Sequence, residues 1–344
     1  MKIYFAPMEG ITTWSYRRIY EKHFGQIDKY VTPFLSPCQD RCFTHRELQE
    51  ILPEHNEGMQ VVPQLLTCRS EDFIWAAREL KQMGYEEVNL NLGCPSGTVV
   101  SKRKGSGFLA YPKELDEFLA RIFDELDMKI SIKTRIGKER PEEFSELLSI
   151  YNRYPISELI IHPRVQKEFY KGTPHMDVFA AALRDSRNPV CYNGDLFTGS
   201  DVQKLQESFP QVQTIMLGRG LIANPALVSM LAGMAGAEPG GQAARLEARA
   251  AGQEKNAACS EADRKRRLRQ FHDELYHQYQ ETMPGERPVL FKMKELWFYM
   301  ICLFEDSERL GKKLRKSQHL REYEEAVEGL FAEKTLLVDT RFRG

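Results

Sequence analysis

Three features that would fix a protein's class at once are missing from this chain. No apolar run can cross a bilayer: the longest strongly apolar stretch, 297–304, falls far below the roughly 20 residues of a spanning helix. No membrane partner is therefore expected. Seven cysteines, odd in number and irregularly spaced, do not make a disulfide framework, so a reduced compartment is expected. The opening MKIYFAPMEG runs straight into strand-like residues without a basic segment and apolar stretch. That predicts no secretory leader and a cytoplasmic location. An excess of one charge is missing as well. The 48 basic and 49 acidic side chains leave a net charge of −1, whereas proteins that hold nucleic acid through overall charge carry a basic excess. An RNA partner would have to meet a local patch.

What is present is the composition of a folded protein, with 42% hydrophobic and 28% charged residues in a chain of 344, long enough for about two domains. Short β-rich runs recur at 3–8, 29–35, 60–66, 87–92, 129–135, 158–162, 189–193 and 213–217. Most are nearly all apolar, as parallel strands covered by helices are. Between many of them the apolar period becomes helical. Phe73, Ile74, Ala77 and Leu80 share one face in 71–83; Leu115, Phe118, Leu119, Ile122, Phe123 and Leu126 share one in 113–126. Eight strands alternating with helices predict an α/β fold, a (β/α)8 TIM barrel over 1–232. The alternative is a doubly wound sheet. It is disfavoured because polar residues recur at the C-terminal ends of many strands instead of beside one crevice.

The character changes at 233–262, rich in Ala, Gly, Gln and Glu, which reads as a linker or insert. Helical stripes return over 263–335. Leu268, Phe271, Leu275 and Tyr279 form one; Phe291, Leu296, Trp297, Met300, Ile301 and Phe304 a thicker one; Leu320, Tyr323, Val327 and Leu330 a third. They predict a small C-terminal helical bundle, with 336–344 as a tail.

A barrel carries its chemistry at the C-terminal ends of its strands. Standing there are Ala6-Pro7-Met8-Glu9-Gly10, Gln64, Asn91-Leu92-Gly93-Cys94-Pro95, Lys133-Thr134-Arg135, His162-Pro163-Arg164, Asn193-Gly194-Asp195 and Gly218-Arg219-Gly220. Any one of these is ordinary; together they bring amides, a thiol, cations and an imidazole to one mouth. Asn193-Gly194 and Gly218-Arg219-Gly220 fit the phosphate-binding turns after strands 7 and 8, with Arg219 as a fork for phosphate oxygens; alternatively the glycines merely turn the chain. Lys133, near the end of an apolar strand, needs an anionic partner because a lone buried ammonium is costly. A reduced flavin ring offers one, and so would a neighbouring carboxylate. Cys94, in a loop just past a strand, is either a small buried hydrophobe or a thiol that stays protonated near neutral pH and serves as a general acid.

Asn91-Leu92-Gly93-Cys94-Pro95-Ser96 resembles the catalytic loop of the tRNA-dihydrouridine synthase family, and Lys104-Gly105-Ser106-Gly107-Phe108-Leu109 resembles its downstream segment. Ala6 to Gly10, Lys133 to Gly137, His162-x-Arg164, Asn193 to Asp195 and Gly218 to Gly220 follow in that family's order, so the resemblance spans about 3–230. Phe108 and Pro163 depart from its usual pattern. The resemblance implies FMN as cofactor, NADPH as electron donor and uridine in tRNA as substrate. It implies that Ala6, Pro7, Met8, Gln64, Lys133, His162, Asn193, Gly194, Asp195, Gly218 and Arg219 hold FMN. By the same resemblance Cys94 is the proton donor, while Asn91, Lys104 and Arg164 line the substrate side. The expected reaction sends hydride to C6 and a proton to C5 of a uracil that has left its stack.

Basic residues concentrate at Arg264-Lys265-Arg266-Arg267, Arg269, Lys292, Lys294 and Lys312-Lys313-x-Arg315-Lys316, and again at Lys102, Arg103 and Lys104. This supplies the local patch for RNA, and no obligate protein partner is indicated. Gly105-x-Gly107-x-x-Ala110 mimics a dinucleotide fingerprint but lacks the strand–turn–helix context. Cys38-x3-Cys42-x2-His45 lacks a fourth ligand, so no metal is expected. Two rivals remain: a flavin enzyme for free pyrimidines of the dihydroorotate type, and a non-catalytic RNA-binding protein on a decayed barrel.

Overall fold

The computed structural model describes residues 1–37, 40–234 and 260–342. Two compact units emerge. Among the described residues the first comprises Met1–Trp14, Ile27–Asp195 and Leu205–Leu217, and the second comprises Ser15–Gln26, Leu196–Lys204 and those from Gly218 onward. Most of the predicted insert 233–262 lies outside the described residues.

All strands of the first unit are parallel: β1 (Lys2–Phe5), β2 (Lys29–Val31), β3 (Val61–Val62), β4 (Gln64–Leu65), β5 (Glu87–Leu92), β6 (Lys129–Arg135), β7 (Leu159–His162), β8 (Val190–Asn193) and β9 (Thr214–Leu217). Their order, β3-β2-β1-β9-β8-β7-β6-β5-β4, begins and ends on one chain segment. Pro63, which has no N–H to give a ladder, separates β3 from β4. β3 pairs with β2 and β4 with β5, so 61–65 acts as one interrupted strand that closes an eight-stranded barrel without a free edge. The predicted fold class therefore holds, with strand 60–66 divided by its proline. The run predicted at 3–8 ends as a strand at Phe5, which leaves Ala6 to Met8 at the mouth.

Helices follow most strands: α1 (Trp14–His23), α2 (His45–Ile51), α3 (Ser70–Gln82), α4 (Gly97–Val100), α5 (Pro112–Glu125), α6 (Glu143–Tyr151), α7 (Met176–Asp185), α8 (Gly199–Ser208), α9 (Arg219–Ala223) and α10 (Leu227–Met234). The predicted stripe Phe73, Ile74, Ala77, Leu80 on α3 is buried, and so are Leu115, Phe118, Leu119 and Ile122 of the stripe on α5, whereas its Phe123 and Leu126 are half-buried.

Inside the barrel, Tyr4, Ala6, Val31, Ile160, Cys191 and Met216 meet as one buried cluster drawn from five strands. The period-2 alternation of side chains then aims Asn89, Asn91, Ser131 and Lys133 inward too. At the N-terminal end one lysine faces two carboxylates. Lys29 Nζ lies 2.8 Å from Glu87 and 3.7 Å from Glu158, and its ammonium sits 4.9 Å over the Tyr4 ring.

The second unit is helical after its barrel-derived pieces, with α11 (Glu261–Thr282), α12 (Glu286–Met300), α13 (Glu308–Lys316) and α14 (Leu320–Glu333). Ser260 caps α11, its hydroxyl accepting from the Asp263 amide at 3.2 Å. Leu268, Phe271, Leu275 and Tyr279 of α11 are buried, as are Tyr323, Val327 and Leu330 of α14. The predicted α12 stripe needs correcting. Its buried face is Val289, Leu290, Met293, Leu296, Trp297 and Met300, whereas Phe291 is 69% exposed. Between α11, α12 and α14, buried His272 receives the Tyr323 hydroxyl at 2.6 Å, and Trp297 Nε1 donates to that same hydroxyl at 2.9 Å.

Candidate active site

A ladder of amides crosses the top of the barrel. Asn89 donates to Ser131 Oγ at 2.9 Å, Gln64 donates to Asn89 Oδ1 at 2.7 Å, and Asn91 donates to Gln64 Oε1 at 2.7 Å. Each donor–acceptor choice fixes the next, so both the nitrogen and the oxygen of the fully buried Gln64 side-chain amide are used. The ladder ends in a loop: Asn91 Oδ1 accepts from the amides of Gly93 at 3.0 Å and Cys94 at 2.9 Å. This places Cys94 one short turn beyond β5.

The segment after α4 holds the same loop from below. Ser106 donates to the Cys94 carbonyl from its amide at 3.1 Å and its hydroxyl at 2.8 Å. Gly105 sits at φ +56°, and a Cβ there would meet the Cys94 carbonyl oxygen at 2.8 Å; one on Gly107 would meet the Val100 carbonyl at 2.8 Å. Of the glycines that mimic a dinucleotide fingerprint, Gly105 thus allows close packing against Cys94 and Gly107 against Val100. From the side, the fully buried Arg135 donates from Nε to the Gly93 carbonyl and from Nη1 to the Val165 carbonyl, both at 3.0 Å. Its guanidinium lies 5.4 Å from the Tyr170 ring. Burial pushes the Cys94 thiol up, with Glu9 adding to the shift and Arg135 and Lys133 opposing it. The thiol is thereby kept as S–H near neutral pH.

Lys133 bridges the barrel interior instead of an ion pair. Its Nζ donates to Asn193 Oδ1 at 2.7 Å, and Asn193 Nδ2 donates to the Met216 carbonyl at 2.8 Å. Among the described residues Lys133 has no carboxylate within ion-pair distance. Burial, helped by Arg135, lowers its pKa to about 8. The sequence left open whether a neighbouring carboxylate neutralises this cation; none does, and the site keeps its demand for an anion.

Other expected residues are brought together differently. Arg164, fully buried, pairs bidentately with Asp195 and also donates to the carbonyls of Lys171 at 3.0 Å and Gly172 at 2.6 Å. Its Nη1 lies 3.1 Å from His162 Nε2. Arg164 thus ties the loop after β7 to the loop after β8. In the loop it closes, His162 stacks on the Tyr170 ring at 6.1 Å, and Gln166 donates to the Pro95 carbonyl at 3.3 Å. A Cβ on Gly194 would overlap the Tyr192 hydroxyl. Ala6 donates to the Leu217 carbonyl at 2.8 Å, and the Met8 amide donates to Thr12 Oγ1 at 2.8 Å. Lys104 is half-buried, with no ion pair among the described residues. Gly218 and Arg219 belong to the second unit, where Gly218 caps α9 and Arg219 lies 5.3 Å from the Phe197 ring. Among the described residues no group of three or more His, Cys, Asp or Glu side chains could hold a metal; Cys38 lies outside them.

Sequence reading assigned no role to Arg135, Asn89, Ser106 or Tyr170. Alternation along β5 and β6 marks Asn89 as inward-facing. Arg135 stands at a strand end and Ser106 in the segment after Cys94, but their roles depend on partners in other loops, and no local pattern marks Tyr170.

A parallel barrel thus carries at its mouth a thiol kept protonated and a lysine that has no carboxylate within ion-pair distance among the described residues. The model of the dihydrouridine synthase (Dus) family matches residues 4–295, and this chain belongs to that family. It is 26% identical over 231 residues to tRNA-dihydrouridine synthase B of Pasteurella multocida, covering 67% of this chain and 68% of that protein. The tRNA-dihydrouridine(16) synthase of Pseudomonas putida is 28% identical over 235 residues, 66% of this chain and 72% of its own. That of Aquipseudomonas alcaligenes is 28% identical over 252 residues, 70% and 78%. Among solved structures, a variant of NCR from Zymomonas mobilis aligns at TM-score 0.47 and 15% identity over 69% of this chain and 88% of that one.

Proposed function

We propose that this protein reduces the C5=C6 bond of uridine in tRNA to dihydrouridine, with FMN as cofactor and NADPH as electron donor. The observation that carries the reading is Cys94, a half-buried thiol kept protonated on a loop held by Asn91, Ser106 and Arg135, in an interior where Lys133 has no counter-ion among the described residues. The residues proposed to hold FMN are Ala6, Pro7, Met8, Gln64, Lys133, His162, Asn193, Gly194, Asp195, Gly218 and Arg219. Lys133 fits that role because a buried ammonium with only an amide for partner gains most from an anionic or electron-rich ligand. When bound, the flavin supplies the hydride that C6 receives, drawn from NADPH.

Cys94 gives its S–H proton to C5, and the thiolate regains a proton from solvent. Asn91 acts through the loop amides it holds, Arg164 through the two loops it joins, and Lys104 offers a cation near the base or its phosphate. RNA contact is assigned to the helical segment 263–335, so that 1–232 serves as the catalytic barrel in a cytoplasmic enzyme.

The test is nucleoside mass spectrometry of tRNA from cells lacking the protein, complemented with wild type or Cys94→Ala. Dihydrouridine should fall on deletion, return with wild type and stay low with a folded Cys94→Ala. Unchanged dihydrouridine in a strain with no redundant enzyme overturns the tRNA reading. Activity of the purified protein on free uracil or orotate would then favour the pyrimidine-reductase alternative.

A further inference from the structure

The expected basic patch of the second unit divides in two when its partners are traced. On α11, Lys265 pairs with Glu261 at 3.7 Å, Arg266 with Asp263 at 2.6 Å, and Arg269 with Asp273 and Glu328 at 2.7 Å each; Arg267 donates to the His23 carbonyl at 2.6 Å. These cations serve the fold. On α13, Leu310, Gly311 and Leu314 are buried, whereas Lys312, Lys313, Arg315 and Lys316 are exposed. Among the described residues none of these four side chains forms an ion pair or hydrogen bond; the partners there are those of the Lys313 and Lys316 backbone carbonyls. The helix is closely seated, since a Cβ on Gly311 would meet Ile301 Cγ1 at 3.0 Å.

Beside this edge stands Phe291, 69% exposed on α12. A single exposed aromatic is unremarkable alone; its neighbours give this one meaning. Arg287, one turn earlier on the same helical face, is exposed and has no ion pair among the described residues. Two contacts set the turn after α13 against this part of α12: Lys294 donates to the Ser317 carbonyl, and His319 lies 4.0 Å from Glu286. Glu286 and Glu322, the latter accepting from the Gln318 amide at 2.7 Å, mark where the cationic surface ends.

We propose that this α12–α13 face holds an unpaired stretch of RNA, with one base stacked on Phe291 and adjacent phosphates on Arg287, Lys312, Lys313, Arg315 and Lys316. The assignment rests on the reading of tRNA as substrate and narrows it to one face. Every base has a π-face for an aromatic ring, and the phosphates supply the charge that the fold withholds from these cations. An acidic protein surface would answer the cations and leave the phenylalanine without a partner.

The test uses full-length protein and an unmodified tRNA transcript, with binding measured across a salt series and turnover measured beside it. Phe291→Ala should weaken binding about tenfold and Phe291→Trp should preserve it. The fourfold Lys312→Gln, Lys313→Gln, Arg315→Gln, Lys316→Gln variant should lower the salt slope by about 3. Rate at saturating tRNA should be unchanged in all three variants, while KM rises for Phe291→Ala and for the fourfold variant and stays at the wild-type value for Phe291→Trp. Wild type that forms dihydrouridine, with variants indistinguishable from it in affinity and slope, overturns the surface alone. Wild type that binds tRNA through this face but forms no dihydrouridine removes the functional reading and leaves the surface standing. Failure of wild type to bind tRNA removes both.

Discussion

The two ends of the barrel interior are built from the same kinds of side chain and treat charge in opposite ways. At the N-terminal end Lys29 faces two carboxylates, Glu87 and Glu158, with the Tyr4 hydroxyl hydrogen-bonded to Glu158. At the C-terminal end Lys133 and Arg135 face amides and carbonyls. Buried charge is stable only when compensated; at the first end Lys29 has its carboxylates and at the second Arg164 has Asp195, so the cation there that has no carboxylate among the described residues is Lys133. This is how a barrel divides its labour, with stability at one face and chemistry at the other.

The largest expected effect lies at the open end. Cys94→Ala should lower dihydrouridine formation on tRNA by about 10²- to 10⁴-fold, the usual weight of a general acid, with the melting temperature unchanged. A rate within tenfold of wild type would remove Cys94 from the proton-donor role.

Exchanging the same residue type at the two ends separates them directly. Lys29→Met leaves two buried carboxylates without their cation and should cost about 3–5 kcal/mol in denaturant unfolding. Lys133→Met deletes a buried ammonium that no carboxylate compensates, so unliganded stability should hold or rise while flavin content after purification falls. Equal destabilisation by both substitutions would erase the distinction between the ends. A smaller effect is expected at the junction of the amide ladder and the loop. Asn91→Ala removes the acceptor of the Gly93 and Cys94 amides and the donor to Gln64, costing about 1–3 kcal/mol. It should slow turnover more than it raises KM. A KM effect alone would mean that Asn91 contacts substrate without positioning the thiol.

The barrel was legible in the sequence because its signal is periodic: apolar runs at strand spacing, and stripes such as Leu115, Phe118, Leu119 and Ile122 at helical spacing. The site was legible as a set of residues at strand ends, since a barrel sends those to one place. Partnership was not legible. Arg164 and Asp195 were assigned separately to substrate and cofactor, and the structure spends them on each other. Whether Lys133 met a carboxylate depended on β8, 60 residues away. Phe291 entered the wrong stripe because α12 is apolar around much of its circumference, and periodicity alone cannot choose which aromatic a partner helix covers.

Titration sharpens the contrast further, because each end holds one group whose charged form burial disfavours, with opposite signs. Burial raises Glu158 above the ordinary carboxylate range, with Glu87 adding to the shift, so the folded state binds its proton more tightly than the unfolded state does. Its contribution to stability is fully present below the unfolded pKa near 4.3 and is lost as pH rises through the folded value. Lys133 is lowered to about 8 against roughly 10.4 unfolded. The unfolded state therefore binds more protons between those values, and this contribution grows as pH rises from about 8 to about 10.4. Subtracting the unfolding free energy of Glu158→Gln from that of the unliganded wild type across pH should give a difference that declines from acid toward neutral pH. For Lys133→Met it should stay flat to about pH 8 and then rise. An anionic ligand in the barrel mouth should flatten only the second curve, by restoring the charged ammonium that burial disfavours. If it flattens both, the two ends are coupled and the closed end is not the independent support that its ion pairs describe.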